Sequence, residues 1–327
     1  TAGMTYQPTI RSPRRTAPPQ TPWALFVQQT LLPWSRLVRV ANLFTVFGDP
    51  LAGFLLAALL LGSGINPWRL IAVAISSVFL YAFGTIQNDW CDLTEDSRHR
   101  PERPLPSKQI TPAAAALGAL VCATVALFFA LLLGRWPFFV ALFILALVTA
   151  YNVRLKKTLG PGSLCMGLCR GANVLLGAAC VGFPFGLFPL VIAETIYITT
   201  VTWLADGENR VQIPHANVYY LPLSFAIGAL VSLPFLPGDS YSTDSWLSFV
   251  CLVMALIVTF GLAAALHNRT TRPERMRAAI GLSIRALIPW QAGWIALYGT
   301  EGAQSLAIIV LTGLVFSSVL GRRISIS

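Results

Sequence analysis

The chain is poor in charged residues. Asp, Glu, Lys and Arg make up 11% of its 327 residues, whereas a soluble domain carries about 25%. Hydrophobic residues reach 55%, and the mean hydropathy is +0.68. So few charges cannot cover that much apolar surface in water. This scarcity excludes soluble enzymes, nucleic-acid-binding domains and disordered chains, and it predicts an integral membrane protein.

The short alternating segments of a membrane β-barrel are also missing from the sequence. Ten stretches are instead long and apolar enough for a helix that crosses the roughly 30 Å hydrocarbon layer. They cover about residues 38–62, 67–88, 112–134, 136–153, 163–182, 186–205, 217–236, 245–267, 278–299 and 303–321. We therefore expect an all-α, polytopic transmembrane helix bundle of about ten spans.

The chain has an excess of basic residues, and that excess follows the expected spans. If the N-terminus is cytoplasmic, only Arg69 and Arg135 fall in the opposite loops, and Arg170 and Arg285 fall within spans. The other 19 of the 23 Lys and Arg residues are then cytoplasmic, as the positive-inside rule expects. We expect a multi-pass protein among membrane lipids with both termini in the cytoplasm, in the plasma membrane if the source is prokaryotic. Nucleic acid is not expected as a partner.

The N-terminal region lacks the apolar core of a signal peptide. Residues 1–21 are polar and basic and predict a disordered tail. Residues 22–36 carry Trp23 and Trp34 among other apolar side chains, a composition typical of an interfacial helix. The remainder, 37–323, is expected to form a single transmembrane domain. The six cysteines place no pair in an outer loop, so disulfides are not expected.

Acidic residues are scarce, yet four of the 13 lie directly after the second expected span. They are Asp89, Asp92, Glu95 and Asp96. On a continued helix Asn88, Asp92 and Asp96 lie at positions i, i+4 and i+8. Unpaired carboxylates about 6 Å apart, at an effective dielectric constant of about 20, repel each other by roughly 3 kcal/mol per pair. A bound Mg²⁺ removes this penalty. Such carboxylates suit Mg²⁺, because the ion binds one or two of them and completes its coordination with water and phosphate oxygens.

The segment that follows is rigid and rich in guanidinium groups, since Arg100 and Arg103 alternate with prolines. Guanidinium groups suit phosphate oxygens. One interpretation is a metal-dependent diphosphate site at the mouth of the bundle. The other is a solvated, acidic helix end that these arginines neutralise.

The pattern Asn88-Asp89-x-x-Asp92-x-x-x-Asp96 resembles the first aspartate-rich motif of the UbiA superfamily of intramembrane prenyltransferases. The Arg-Pro-x-Arg-Pro-Leu-Pro-Ser continuation is also similar. So, more weakly, are Tyr151 and Asn152 followed by Lys156 and Lys157, and the segment Cys169-Arg170-Gly171-Ala172-Asn173. The resemblance covers about residues 37–300. It implies a prenyltransferase-like domain with a central cavity that opens near the cytoplasmic face, nine spans in most members, Mg²⁺ as cofactor and an isoprenyl diphosphate as substrate.

The resemblance and the residue chemistry together suggest roles for individual side chains. The first metal site is expected at Asn88, Asp89, Asp92 and Asp96. Asp92, Asp96 and Lys156 are expected to be catalytic. Substrate-binding candidates are Arg100, Arg103, Lys108, Tyr151, Arg170 and Asn173. Either Tyr151 or Tyr197 is a candidate for cation–π stabilisation of an allylic cation, with packing as the alternative.

The chain departs from the family pattern at two places. Lys108 stands where the family usually has glycine. The second aspartate-rich motif, expected after the sixth span, is degraded, and only Asp206 and Glu208 remain at that end. They are candidates for a second metal site, with a solvated helix end as the alternative. A tenth span, added to the usual nine, is a further departure.

Arg170 falls within the fifth expected span, where a charge is costly and usually functional. Three interpretations are open: it snorkels to the cytoplasmic surface, it faces the cavity and holds phosphate, or it pairs with Glu194 on the next helix.

We expect a Mg²⁺-dependent enzyme that transfers an isoprenyl group from its diphosphate to a small aromatic or lipid-like acceptor. A terpene cyclase with the same fold is one alternative. A non-catalytic protein that binds or transports a prenyl or lipid phosphate is another, because the second motif is degraded. The sequence gives no indication of the oligomeric state.

Overall fold

The computed structural model describes residues 21–158, 160–206, 215–238, 246–267 and 273–324. These residues form helices and connecting turns, which confirms the all-α class. The α-helices are α1 (Pro22–Phe26), α2 (Leu32–Leu37), α3 (Val40–Leu43), α4 (Gly48–Leu60), α5 (Pro67–Cys91), α6 (Leu93–His99), α7 (Pro112–Leu133), α8 (Arg135–Val153), α9 (Pro161–Ala178), α10 (Phe188–Asp206), α11 (Tyr220–Ser232), α12 (Trp246–His267), α13 (Pro273–Ala296) and α14 (Glu301–Ile324). A π-helical segment, Val27–Leu31, joins α1 to α2, and 3₁₀ turns cover Leu155–Lys157, Phe185–Leu187, His215–Tyr219 and Leu233–Phe235.

Eight helices of the described chain are long and apolar enough to cross a membrane, with α3 and α4 together forming the first. The protein is therefore an integral, multi-pass membrane protein. The other two expected spans correspond to α9 and α13, which are helical but not among these eight. Both carry polar side chains within the bundle, such as Asn173 and Gln291, and these lower their hydropathy. The count of ten spans stays a prediction.

The N-terminal segment is helical from Pro22 to Leu37, through α1, the π-helical segment and α2. Trp23 and Phe26 are exposed, while Trp34 reaches α7 at Gly118. The position of this segment at the membrane surface stays a prediction. The expected disordered tail, 1–21, lies outside the described residues except for Thr21.

Two long helices begin at well-defined caps. The Asn66 side chain accepts a hydrogen bond from the Trp68 backbone N–H at 3.0 Å, and Thr111 accepts one from Ala114 at 3.2 Å. In each case a proline occupies the first helical position, where its missing N–H costs no hydrogen bond. These caps fix where α5 and α7 begin. The acidic segment lies at the other end of α5 and precedes α7.

Helix α9 lies at the centre of the bundle and packs very closely against its neighbours through glycine. A Cβ atom at Gly177 would lie 1.8 Å from the Pro50 carbonyl oxygen of α4. At Gly167 and Gly171 a Cβ would lie 2.1 and 2.2 Å from threonine hydroxyl oxygens of α10. Small residues at such positions let helix backbones approach closely. Because α9 also carries Arg170 and Asn173, this packing holds those side chains close to α4.

A fully buried aromatic stack joins α10, α11 and α13. The Tyr197 and Phe225 rings lie 4.2 Å apart, and the Phe225 and Trp290 rings lie 4.1 Å apart. The Tyr197 hydroxyl donates to the Ser283 carbonyl oxygen at 2.7 Å. Tyr197 is therefore a core residue, and the structure contradicts the expectation that it is a candidate to face an allylic cation in a cavity.

A second, smaller core lies beneath the loop that follows the acidic segment. Leu105 and Ile110 of this loop are buried against Leu37 and Ile86. Within the loop Lys108 has a left-handed backbone with φ of 61°. Glycine adopts that conformation without the steric cost that a side chain brings, which accounts physically for the glycine usual in the family at this position.

We expect Gly177→Ala to destabilise the protein by about 2 kcal/mol, because the new methyl group meets the backbone of Pro50 rather than a mobile side chain. Thermal unfolding in detergent measures this loss. Gly261→Ala is the matched control, since it lies within α12 with no atom within 4 Å of the new Cβ. Equal melting temperatures for the two variants would contradict the close approach of α4 and α9.

The topology is testable by single-cysteine labelling in a cysteine-free background. Gly64 and Thr158 are exposed at opposite ends of the expected spans. We expect Gly64→Cys to react with an impermeant maleimide from outside intact cells and Thr158→Cys to react only after lysis. The reverse pattern would contradict the cytoplasmic termini.

Candidate active site

A cavity of about 290 Å³ lies in the centre of the bundle. It is enclosed by residues of α3, α5, α8, α9, α10 and α13 and by the turn between α3 and α4. Apolar residues such as Leu80, Ile144 and Ile198 form much of its wall. Polar side chains lie along the wall as well: Arg39, Asn42, Asn88, Tyr151, Asn152, Arg170 and Asn173. The cavity can therefore hold an apolar group with a polar one attached.

The acidic segment lies where α5 ends beside this cavity. The structure contradicts a single continuous helix, because α5 ends at Cys91 and α6 begins at Leu93, with Asp92 between them. Backbone hydrogen bonds nevertheless continue through the junction. The Asp92 N–H donates to the Asn88 carbonyl oxygen at 3.0 Å, and that of Asp96 donates to Asp92 at 2.8 Å. The expected i, i+4, i+8 order is thus kept across a break in the helix.

Basic side chains pair with the carboxylates of this segment. Arg39 Nη2 lies 2.9 Å from Asp89 Oδ1, and Arg103 Nη1 lies 2.7 Å from Asp96 Oδ2 and 3.5 Å from Asp89 Oδ1. Asp89 and Asp96 are both almost fully buried. An isolated buried charge is costly, so these pairs remove much of the repulsion that the sequence implies. Attraction by Asp89 raises the pKa of the Arg39 guanidinium above its ordinary value, although burial alone would lower it.

Lys156 brings a third cation to the same place. It forms an ion pair with Asp92, and both side chains are largely buried. Lys156 follows α8, whose end is held to α5 by Asn152: this side chain donates to the Gly84 carbonyl oxygen at 3.1 Å and to Gln87 Oε1 at 3.0 Å. The segment after α8 and the acidic segment are therefore joined in the structure, although about 60 residues separate them in sequence.

The structure groups some predicted residues and separates others. Asn88, Asp89, Asp92, Asp96, Arg103 and Lys156 lie together, and Tyr151 lines the adjoining cavity. Arg100 and Lys108 are exposed and form no ion pair with the acidic segment among the described residues. Arg39, which the sequence analysis did not select, belongs to the group. The sequence feature that could have indicated Arg39 is its position as a basic residue at the start of the first span.

The degraded second motif is described only in part. Asp206 ends α10 and accepts a hydrogen bond from the Ser163 hydroxyl at 3.2 Å. Glu208 lies outside the described residues. Tyr151 is close enough to interact electrostatically with both Asp206 and Asp92. Both acidic helix ends are therefore within electrostatic range of one side chain of the cavity.

Arg170 has a partner that the sequence analysis did not foresee. Its guanidinium Nε lies 3.0 Å from Asp49 Oδ2, and Nη2 lies 3.1 Å from Asp49 Oδ1. Asn173 donates to the same carboxylate at 2.9 Å. Arg170 therefore does not snorkel, and its ion pair is with Asp49 rather than Glu194. The available signal was Asp49 itself, an acid inside an apolar span.

The donor set of the acidic segment fits Mg²⁺ in its chemistry, because it offers carboxylate and amide oxygens. Among the described residues no group of three or more His, Cys, Asp or Glu side chains is arranged to hold a metal directly. Mg²⁺ commonly keeps several waters and uses only one or two carboxylates together with substrate phosphates. The residues therefore fit a metal that is shared with a phosphorylated ligand.

A membrane-embedded helix bundle with an acidic, cation-paired segment beside its cavity has the groups that an intramembrane enzyme needs to act on a phosphorylated lipid. The chain belongs to the UbiA prenyltransferase family, whose sequence profile matches residues 51–283. It is thus a UbiA-type intramembrane prenyltransferase, and the resemblance seen in the first motif is confirmed.

Individual relatives agree with this assignment. The chain is 26% identical over 266 residues to digeranylgeranylglyceryl phosphate synthase of Natronomonas pharaonis, covering 77% of this chain and 92% of the relative. A UbiA homolog from Aeropyrum pernix has a similar fold, with a TM-score of 0.60, 17% identity and coverage of 76% of this chain and 96% of the homolog. A UbiA homolog from Archaeoglobus fulgidus bound to GPP and Mg²⁺ gives a TM-score of 0.50 at 14% identity, covering 84% and 99%.

Proposed function

We propose that the protein uses Mg²⁺ to transfer an isoprenyl group from an isoprenyl diphosphate to a small lipid-like or aromatic acceptor. The observation that carries this proposal is the acidic segment at the cavity mouth, where Asp92 and Asp96 pair with Lys156 and Arg103. The Archaeoglobus homolog binds GPP, an isoprenyl diphosphate, together with Mg²⁺, which supports the same ligands here.

Asn88, Asp92 and Asp96, with Asp89 in support, would hold the metal. When bound, Mg²⁺ supplies positive charge to the leaving diphosphate. Arg103 and Lys156 add charge from the protein, since each already lies beside a carboxylate of the segment. Charge placed in advance where the diphosphate leaves stabilises ionisation of the allylic C–O bond. Arg100 and Lys108 are exposed near this mouth, where they can attract the anionic substrate.

The cavity wall would protect the reactive carbon. Leu80, Ile144 and Val148 provide an apolar surface that excludes water from an allylic cation. Tyr151 lines the same cavity, as Tyr81 does, and its ring would stabilise that cation by a cation–π contact. An acceptor in the cavity then captures the cation in place of water, forming the new bond and releasing the proton of the attacking group.

The name of the Natronomonas relative contains a glyceryl phosphate carrying isoprenyl groups, which favours a lipid-like acceptor over an aromatic one. The test is incubation of the purified protein with geranylgeranyl diphosphate, Mg²⁺ and either a monoprenylated glyceryl phosphate or a phenol, followed by mass spectrometry. A prenylated acceptor supports the proposal. An acceptor-free cyclic product would indicate a terpene cyclase, and binding without any product would indicate a binding or transport protein.

We expect Asp92→Ala to lower the Mg²⁺-dependent affinity for geranylgeranyl diphosphate at least tenfold, because it removes a metal ligand and the partner of Lys156. Equilibrium binding of the radiolabelled diphosphate, with and without EDTA, measures the effect. Glu102→Ala is the matched control, since Glu102 is an exposed acid of the following loop. If Asp92→Ala binds as tightly as Glu102→Ala, the acidic segment holds ion pairs but contributes nothing to diphosphate binding.

The second motif has a separate test. We propose that Asp206 and Glu208 hold a second metal opposite the first. The double change Asp206→Ala, Glu208→Ala should lower turnover at least tenfold, about 1.4 kcal/mol of activation free energy. Diphosphate affinity should fall less, because the first motif remains. Turnover equal to that of Glu102→Ala would make the second site vestigial.

A further inference from the structure

A buried polar cluster lies beyond the proposed diphosphate site, in the middle of the bundle. We name it the Asp49 cluster: Asp49 of α4, Arg170 and Asn173 of α9, Glu194 of α10 and Gln291 of α13. Asp49, Glu194 and Gln291 are fully buried. Ionisable groups so deep in a membrane domain are costly and usually have a function.

Three side chains, Arg170, Asn173 and Gln291, donate hydrogen bonds to Asp49. Arg170 contacts both carboxylate oxygens, at 3.0 and 3.1 Å, and Asn173 donates at 2.9 Å. Gln291 Nε2 also donates to Asp49 and, at 2.8 Å, to the Thr45 carbonyl oxygen. A carboxylate held by donors from two other helices, α9 and α13, has a fixed orientation, and so has the guanidinium group that pairs with it.

One nitrogen of Arg170 is not used by these contacts. Nη2 donates to Thr45 and Asp49, and Nε lies at ion-pair distance from Asp49 without a hydrogen bond, whereas Nη1 has neither contact among the described residues. The Arg170 side chain is 14% exposed and lines the cavity. The fixed guanidinium therefore offers unused N–H donors at the cavity wall.

This donor is well separated from the cavity mouth along α9. Ser163, which bonds to Asp206 at the end of α10, precedes Arg170 by seven residues, about 10 Å of helix. The same cavity is lined by Asn88 of the first motif. A ligand at Arg170 can therefore share the cavity with an isoprenyl diphosphate without sharing the ligands of the diphosphate.

The charge of the cluster indicates which chemical group fits there. Asp49 balances Arg170, and Glu194 neighbours both. With Glu194 protonated the cluster has no net charge, and with Glu194 ionised it is negative. In neither state does it offer excess positive charge to an anion, in contrast to the mouth, where Arg39, Arg103 and Lys156 gather.

We propose that Arg170 binds an uncharged oxygen of the prenyl acceptor, an alcohol or carbonyl group, and that Asp49 is the residue that positions Arg170 for this contact. This inference rests on the proposed prenyl transfer and adds the chemistry of the second substrate. A lipid alcohol fits, because its apolar chain suits the Leu80 and Ile144 side of the cavity. An anionic head group would remain at the basic mouth.

The experiment measures photolabelling by a diazirine-bearing 1-O-alkylglycerol on purified protein. Two companion probes are used: an analogue with both glycerol hydroxyls replaced by hydrogen, and the phosphate monoester of the alcohol. Arg170→Lys is the main variant, since lysine keeps the charge opposite Asp49 but lacks the fork of donors. Arg285→Lys is the matched control, because Arg285 contacts Ser317 and lies outside the cavity lining.

We expect the alcohol probe to label cavity peptides of the parent protein and of Arg285→Lys equally. Labelling should fall at least tenfold in Arg170→Lys and with the deoxy analogue, and labelling by the phosphate monoester, whose remaining hydroxyl can still reach Arg170, should fall in Arg170→Lys as well. Equal labelling of Arg170→Lys, no cavity labelling of the parent, or labelling by the phosphate monoester that does not depend on Arg170 would each overturn the proposal.

The positioning role of Asp49 is tested by comparing the effect of Asp49→Asn on the binding of two ligands. Asp49→Asn should lower labelling by the alcohol probe several-fold while the affinity for geranylgeranyl thiodiphosphate, an unreactive analogue, changes less than twofold. A merely loosened fold would weaken both, because both ligands occupy one cavity. If Arg170→Lys is poorly folded by gel filtration, the double variant Arg170→Gln, Asp49→Asn removes both charges together and is assayed instead.

Failure of this inference and failure of the proposed function are distinguishable. If Arg170→Lys leaves labelling by the alcohol probe unchanged while Mg²⁺-dependent diphosphate binding is normal, only the acceptor site is overturned. If Asp92→Ala leaves the diphosphate affinity unchanged, the proposed transfer is overturned, whatever the alcohol probe shows.

Discussion

The structure depends on one constraint, that a carboxylate ionised inside the bundle must have a cationic partner. Asp89, Asp96 and Asp49 are almost or fully buried, and each lies against a guanidinium group. Every one of these pairs joins residues from different parts of the bundle, apart from the local pair of Arg103 and Asp96. An uncompensated buried charge costs several kcal/mol, so the pairs tie the helices together at the cavity.

Close packing makes the deep pair possible. Asp49 and Arg170 meet because α4 and α9 approach at Gly53 and Gly177, where any side chain would meet the backbone of the other helix. Van der Waals packing of small residues is a main source of helix association in lipid, where no hydrophobic effect acts between helices. The same glycines that hold the bundle together therefore bring the polar groups of its interior into contact.

The two ends of the cavity differ in charge, and this difference organises the chemistry. The mouth gathers Arg39, Arg103 and Lys156 around acids that can share a metal with a diphosphate. In the middle of the bundle the charges of Asp49 and Arg170 balance each other, and Nη1 of Arg170 is the donor that these contacts do not use. A substrate with an anionic group at one end therefore has a preferred orientation, with the anion at the mouth.

The sequence alone determined the membrane class, the helical content, the position of most spans and the first aspartate-rich motif. These follow from local properties: hydropathy over about 20 residues, and spacing over eight. Only the tertiary structure decided that Asp49 pairs with Arg170, that Arg39 joins the acidic segment and that Tyr197 belongs to the core. Asp49 and Arg170 are 121 residues apart, and no local pattern indicates which of several interior polar residues will meet. Their partners are selected by helix packing, which brings distant segments together wherever small residues allow it and buried charges require it.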